Sequence, residues 1–310
     1  MPHVSIVIPA YRVAAYIRDA LESVFAQTFQ DFEVIVVNDC CPDTTALETA
    51  IEPYRSRIIY TRLEKNSGPS AARNAAILAS SSSYIAFLDA DDIWERDYLK
   101  TQIAILEADR SLDVVYCNAR LFGSPEDEGL TTMDLNPSQG EVSFTTLMNL
   151  QCNVFISVTA RREALLRAGL FEPARRRAED FDLWLRIVKT GGKIGYHRAV
   201  LARSRRRADS ASANEEAMLI ADIEVAEKAK RTLDLTPEER TVTDQQIRRW
   251  QARLDVVHGK KALDAGRMRD AAHHFGDAYS RLRTPKMALI AGLSRVAPRL
   301  LAWMVRGRAI

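Results

Sequence analysis

Cysteine is scarce in this chain of 310 residues: there are four, and none stands in a CxxC spacing. Cys40 and Cys41 are neighbours and poorly placed to bridge one another, so no disulfide framework is expected and a reducing cytoplasm is the expected compartment. Long apolar runs are missing too. None reaches the ~18 residues of a membrane-spanning helix. The opening MPHVSIVIPAY has too short an apolar run, and no basic lead, for a secretory signal; it reads as a first strand. PAYRVAAY after that strand lacks the glycines of a GxGxxG turn, which argues against a dinucleotide site. Acids are absent from residues 281–310, which hold seven Lys or Arg, an asymmetry that the net charge of +2 conceals. Nucleic acid is not an expected partner.

What is present is ordinary globular composition, 47% hydrophobic and 27% charged, which excludes a disordered or fibrous chain. The length suits one large α/β domain with an appendage, or two modest domains. Buried-strand patterns at 4–8, 32–37, 58–62 and 84–88 alternate with helical spacing after residue 11 and at 70–78, the rhythm of βαβ units in a mostly parallel sheet. Further strands are expected at 113–116 and 153–159, helices at 162–168 and 179–189, and a mobile loop at 123–140. Ligands of such sheets gather at the carboxyl ends of the strands. Polar groups stand at those ends: Tyr11 after Pro9 and Ala10, Asn38 with Asp39, and Asp89 with Asp91.

The segment IAFLDADDIW at 85–94 concentrates the chemistry. Three carboxylates, Asp89, Asp91 and Asp92, leave one buried strand together, where like charges repel unless a cation or hydrogen-bond donors answer them. Oxygen-only ligands suit hard divalent ions such as Mg²⁺ or Mn²⁺. A helix cap starting near Trp94 needs only one of the three acids.

In order along the chain, VSIVIPAYR at 4–12, VIVVNDCCPDTT at 34–45, NSGPSAARNAAI at 66–77, FLDADDIW at 87–94 and EDFDLWLRI at 179–187 resemble the family 2 glycosyltransferases, an inverting group with the GT-A fold. The resemblance covers about two thirds of the chain. It implies a catalytic domain at 1–212, with a nucleotide-sugar half over about 1–95 and an acceptor half over about 96–212, and a helical region at 213–310. It further implies that Pro9, Ala10 and Tyr11 lie against the nucleotide and that Asp39 hydrogen-bonds the base. A carboxylate suits the imide N–H of uracil, which points to a UDP-sugar. The usual pattern after this Asp is Gly-Ser, whereas this chain has Cys40-Cys41. By the same resemblance Arg73 contacts the nucleotide or diphosphate, Asp91 is the direct ligand of the divalent cation, Asp89 supports the ribose or the metal shell, and Asp92 is left as a possible cap.

The resemblance identifies Asp180 as the base that takes the proton of the acceptor hydroxyl, with Glu179 as the competing candidate. Trp184 reads as core, and Trp94 as either core or a wall of the sugar site. In LARSRRRADSAS at 201–212, any of Arg203, Arg205, Arg206 and Arg207 can serve as a phosphate clamp. Beyond residue 212, long helical periodicities replace strand signals. KMALIAGLSRVAPRLLAWMV at 286–305 is apolar and basic, with Trp303 inside it and Arg306 and Arg308 following. It suits either packing on the protein or peripheral contact with the inner face of a membrane, with Pro298 kinking it or starting a second helix. The expected function is transfer of a sugar to a glycan or lipid-linked acceptor in polysaccharide, lipopolysaccharide or glycoconjugate synthesis. A non-catalytic nucleotide-sugar binder of the same fold and a nucleotidyltransferase are the alternatives.

Overall fold

The computed structural model describes residues 2–305 apart from Ile156, Ala208, Ala211 and Ser212, and leaves the side chains of Trp303 and Val305 undescribed. The expectations for Arg306, Arg308 and the Trp303 ring lie outside the described residues. The chain divides into two compact units, Met1–Ala213 and Asn214–Ile310.

The first unit begins β1 (Val4–Ala10), α1 (Ile17–Phe25), β2 (Phe32–Asn38), α2 (Thr44–Ile51), β3 (Ile59–Arg62), α3 (Pro69–Ala79) and β4 (Tyr84–Phe87). It continues with β5 (Ile93–Trp94), α4 (Tyr98–Ala108), β6 (Val114–Phe122), α5 (Thr132–Leu135) and α6 (Phe144–Met148). β7 (Val158–Arg161), α7 (Arg162–Arg167), α8 (Glu179–Lys189) and β8 (Ile194–Arg205) complete it. Eight strands form one sheet in the order β3-β2-β1-β4-β7-β6-β8-β5. The sheet is mixed. β3, β2, β1 and β4 run parallel, β7 runs antiparallel to both β4 and β6, and β5 runs antiparallel to β8.

β1, β2 and β4 are covered on both faces and therefore read as continuous apolar runs, with Val4, Ile6, Val7, Ile8, Val36, Val37, Ile85 and Phe87 all buried, whereas β3 is an exposed edge. α1 buries Ile17, Ala20, Leu21 and Val24. α3 lies over β1 and β2, and its small Ala72 and Ala76 allow the close approach that brings Arg73 to the end of β4.

Three local expectations are corrected. The strand expected at 153–159 is β7 at Val158–Arg161, its place set by pairing with β4, Thr159 opposite Ala86. The helix expected near Trp94 starts at Tyr98, because residues 93–94 are taken up as β5 against β8. The loop at 123–140 contains α5, closed by a capping box between Thr131 and Asp134.

The second unit comprises α9 (Glu215–Thr232), α10 (Pro237–Asp264), α11 (Met268–Leu282), α12 (Pro285–Val296) and α13 (Pro298–Val305). Thr236, Pro237 and Glu239 make a capping box with proline at the first turn of α10. Gly266, at φ +73, turns the chain into α11. α10 and α11 pack closely at Gly259, where an added Cβ would stand 2.7 Å from the Phe275 ring. Pro298 starts a separate helix, one of the two outcomes expected of it. Among the described residues no helix is long and apolar enough to cross a membrane.

Candidate active site

Asp39 follows the last residue of β2 and is 3% exposed. Its carboxylate accepts the backbone N–H of Ser67 at 2.6 Å, that of Gly68 at 2.8 Å and Nδ2 of Asn66 at 3.1 Å. The acid thus holds the turn that starts α3. About one of its four lone-pair sites is left for a ligand. Asn66, which the sequence reading did not single out, also accepts from Arg176 at 2.6 Å through its Oδ1. Ala10 is fully buried, and its carbonyl accepts the Asp39 N–H at 3.0 Å. Of Pro9, Ala10 and Tyr11, only Tyr11 shows a large exposed face, at 40%.

The Cys40-Cys41 departure has a physical account. Cys40 has φ 49, in the left-handed region that glycine enters freely. The Cys41 thiol stands in for a hydroxyl: Sγ accepts the Arg12 N–H at 2.8 Å and donates to Asp43, and burial pushes its pKa up. Cys40→Gly is therefore expected to raise the unfolding free energy by about 1 kcal/mol, read as a higher urea midpoint. Arg12 (φ 55), beyond β1, and Ala178 (φ 52), before α8, share this backbone region.

Arg73 is buried in α3. Its Nη2 donates to Asp89 at 2.7 Å and its Nη1 to Glu179 at 2.7 Å. Burial works against its charge, but the two carboxylates outweigh burial and keep the guanidinium protonated. The resemblance implied a nucleotide or diphosphate contact for Arg73; in this structure both terminal nitrogens donate to carboxylates. This side chain ties the acid cluster after β4 to the start of α8.

Glu179, Asp180 and Asp182 crowd the first turn of α8, where the helix dipole favours acids. Glu179 is held by Arg73. Asp180 accepts the Phe181 N–H at 2.8 Å, and burial, then the neighbouring Glu179 charge, push its carboxyl up to about 7. Asp89 and Arg73 are close enough to act on the same group, so all four belong to one electrostatic site.

Asp91 meets Nη1 of Arg207 at 3.0 Å; Arg207 also donates to Asp209 at 2.9 Å and lies 4.8 Å over the Tyr16 ring. Burial and Asp89 raise the Asp91 pKa, and Arg207 opposes them. Arg207 thus answers the carboxylate that the resemblance names as the ligand of a divalent ion, and Asp89 acts on the same carboxylate; their oxygens are of the donor type that such an ion takes. Arg205 donates to the Asp91 carbonyl at 2.9 Å and to Asp19 at 3.0 Å, Arg206 pairs with Asp127 and Arg203 lies over Phe122. Asp92 does not cap a helix. It is buried, accepts the Arg205 N–H at 2.8 Å, and is pushed well up by burial and then by Asp89 and Asp91. Trp94 is not a wall of the site: it is 3% exposed, stacks on Tyr98 at 4.1 Å and donates to Ser157. Trp184 is core, as expected.

The family profile for Glycosyl transferase family 2 matches residues 5–172, more than half of the chain. The chain belongs to glycosyl transferase family 2. Among this family's curated members it is 32% identical over 210 residues to an uncharacterized glycosyltransferase of Rickettsia prowazekii, a match covering 66% of this chain and 64% of the relative. It spans less than two thirds of that relative's length. It is 30% identical over 194 residues to the putative teichuronic acid biosynthesis glycosyltransferase TuaG of Bacillus subtilis, covering 61% of this chain and 73% of TuaG. The fold is similar to S. aureus TarS solved with UDP-GlcNAc, with TM-score 0.66, 18% identity, and coverage of 96% of this chain and 89% of that one. It is also similar to the mannosyltransferase PcManGT of Pyrobaculum calidifontis solved with GDP-Man and Mn²⁺, with TM-score 0.63, 20% identity, and coverage of 98% and 84%. These likenesses identify the sheet and its helices as a GT-A architecture.

Proposed function

We propose that this chain moves a sugar from a nucleotide-diphosphate sugar to an acceptor hydroxyl in a single displacement that inverts the anomeric carbon. The observation that carries the reading is the Arg73 bridge, which sets Asp180 beside the Asp89–Asp91 cluster. Asp180, its carboxyl pushed to about 7, is suited to take the acceptor proton near neutral pH. Glu179 is less suited, since Arg73 holds it. Asp39 keeps one acceptor position for an imide N–H, which favours a UDP-sugar, and Tyr11 offers a face for the nucleotide. A divalent ion held by Asp91, with Asp89 beside it, would supply charge neutralisation for the departing diphosphate.

The nucleotide sugars bound to TarS and PcManGT, and the Mn²⁺ in the latter, support the donor class and the ion. The name of TuaG supports an acceptor in cell-envelope polysaccharide synthesis, carried as a free or lipid-linked glycan. The test is transfer and donor hydrolysis with Mn²⁺ across a panel of nucleotide sugars. Wild type is expected to favour a UDP-sugar and to lose activity on chelation, and Asp91→Ala to stay inactive when Mn²⁺ is restored. Activity that survives both Asp91→Ala and Asp180→Asn would overturn the assignment.

A further inference from the structure

The last two helices have an outward face of unusual composition. In α12, Met287, Ile290, Ala291 and Ser294 are buried, and Leu301 of α13 joins the same apolar core. On the other side Leu289 is 62% exposed, Val296 82%, Leu300 49% and Met304 40%. Leu289 and Val296, seven residues apart, share one face of α12, and Leu300 and Met304, four apart, share one face of α13. Lys286, Arg295 and Arg299 are exposed alongside, and residues 281–310 contain no Asp or Glu. Isolated surface leucines need no explanation; four exposed apolar side chains on adjoining helices, flanked by three cations, do.

We infer that this face docks on an anionic lipid surface, the apolar row entering the headgroup boundary and the cations meeting lipid phosphates. A second copy of the chain suits it less, because a two-fold contact would set Lys286, Arg295 and Arg299 against themselves. A polyanion would satisfy the cations but leave the apolar row in water. Docking of this face is independent of the donor site and needs no substrate. A nearby His–Asp group carries less weight: the ligand atoms of Asp255, His274 and Asp277 lie within 4.8 Å of one another, but Arg281 already donates to Asp255 at 2.9 Å and His273 faces Asp277 at 3.4 Å.

The experiment is co-sedimentation of the full chain with vesicles of phosphatidylcholine alone and of phosphatidylcholine mixed with phosphatidylglycerol. Wild type is expected to bind the anionic vesicles, and less so as salt rises. The triple variant Leu289→Ser, Val296→Ser, Leu300→Ser and the double variant Arg295→Glu, Arg299→Glu should each weaken partition about tenfold or more. All five side chains are exposed, so circular dichroism and thermal melting should stay unchanged and separate lost docking from lost folding. Equal sedimentation of wild type with both vesicle types, no sedimentation with either, or variants that bind as wild type would each overturn the inference. Capture of an acidic protein without vesicle binding would assign the face to a protein groove instead.

Discussion

Asp180→Asn is expected to lower the rate of sugar transfer about 10³-fold while leaving the donor KM within about twofold. Asparagine keeps the shape of the side chain and can still accept the Phe181 N–H that Asp180 accepts. It cannot take a proton. On the proposed reading donor binding rests on Asp39, Tyr11 and the acid cluster, so it would persist while the step requiring a base fails. The pH dependence follows from the same carboxyl. If Asp180 is the proposed base, its active form is the carboxylate, so wild-type kcat/KM should rise with pH, with a midpoint near the Asp180 value of about 7. Stability moves the other way. A folded-state pKa raised above the unfolded one favours the folded chain below the unfolded pKa, and that advantage is lost as pH rises from about 4 through about 7. The asparagine variant should thus be more stable than wild type at pH 8, with the difference shrinking as the pH falls. Urea midpoints at three pH values check the stability arm, and initial rates over the same range check the other.

Arg73→Met should destabilise the fold by about 3–5 kcal/mol, the range for removing one partner from a buried ion pair. Methionine fills much of the space beside Phe171, over which the guanidinium lies at 5.5 Å. It leaves Asp89 and Glu179 without the cation that both face. Arg73→Lys is the discriminating control. A single ammonium can meet one carboxylate but not fork between two, so it should recover part of the stability and little of the activity. A guanidinium serving chiefly the donor phosphates would give another pattern: a raised donor KM, with the urea midpoint almost unchanged in both variants.

The parallel half of the sheet was legible because β1, β2 and β4 are covered on both faces, and their apolar runs end where polar residues must emerge. α8 was legible to the residue, since its acids, apolar spacing and last-turn Lys189 mark both ends. β7 was not. Its place depends on pairing with β4 and β6, strands far from it in sequence, and no local pattern carries that register. The same limit hid the partners of Arg73: spacing can put an arginine on a helix, but not show that residues 16 and 106 positions away converge on it. Arg203, Arg205, Arg206 and Arg207 looked equivalent as a basic run. β8 extends to Arg205 and spreads them onto different neighbours, leaving Arg207 against the Asp91 side chain. The choice between core and site wall for Trp94, and the cap considered for Asp92, could not be settled from sequence for a related reason, since the short β5 pairing with β8 draws this stretch inward.

Arg12, Cys40 and Ala178 share a consequence for how a ligand is met. Each holds a backbone shape that its side chain disfavours, at an end of β1, of β2 and of α8. Such shapes persist only where the surrounding fold over-determines them. On the proposed reading, these three turns at the strand and helix ends are shaped before a donor arrives, so their own ordering would add little to the chain entropy that binding costs.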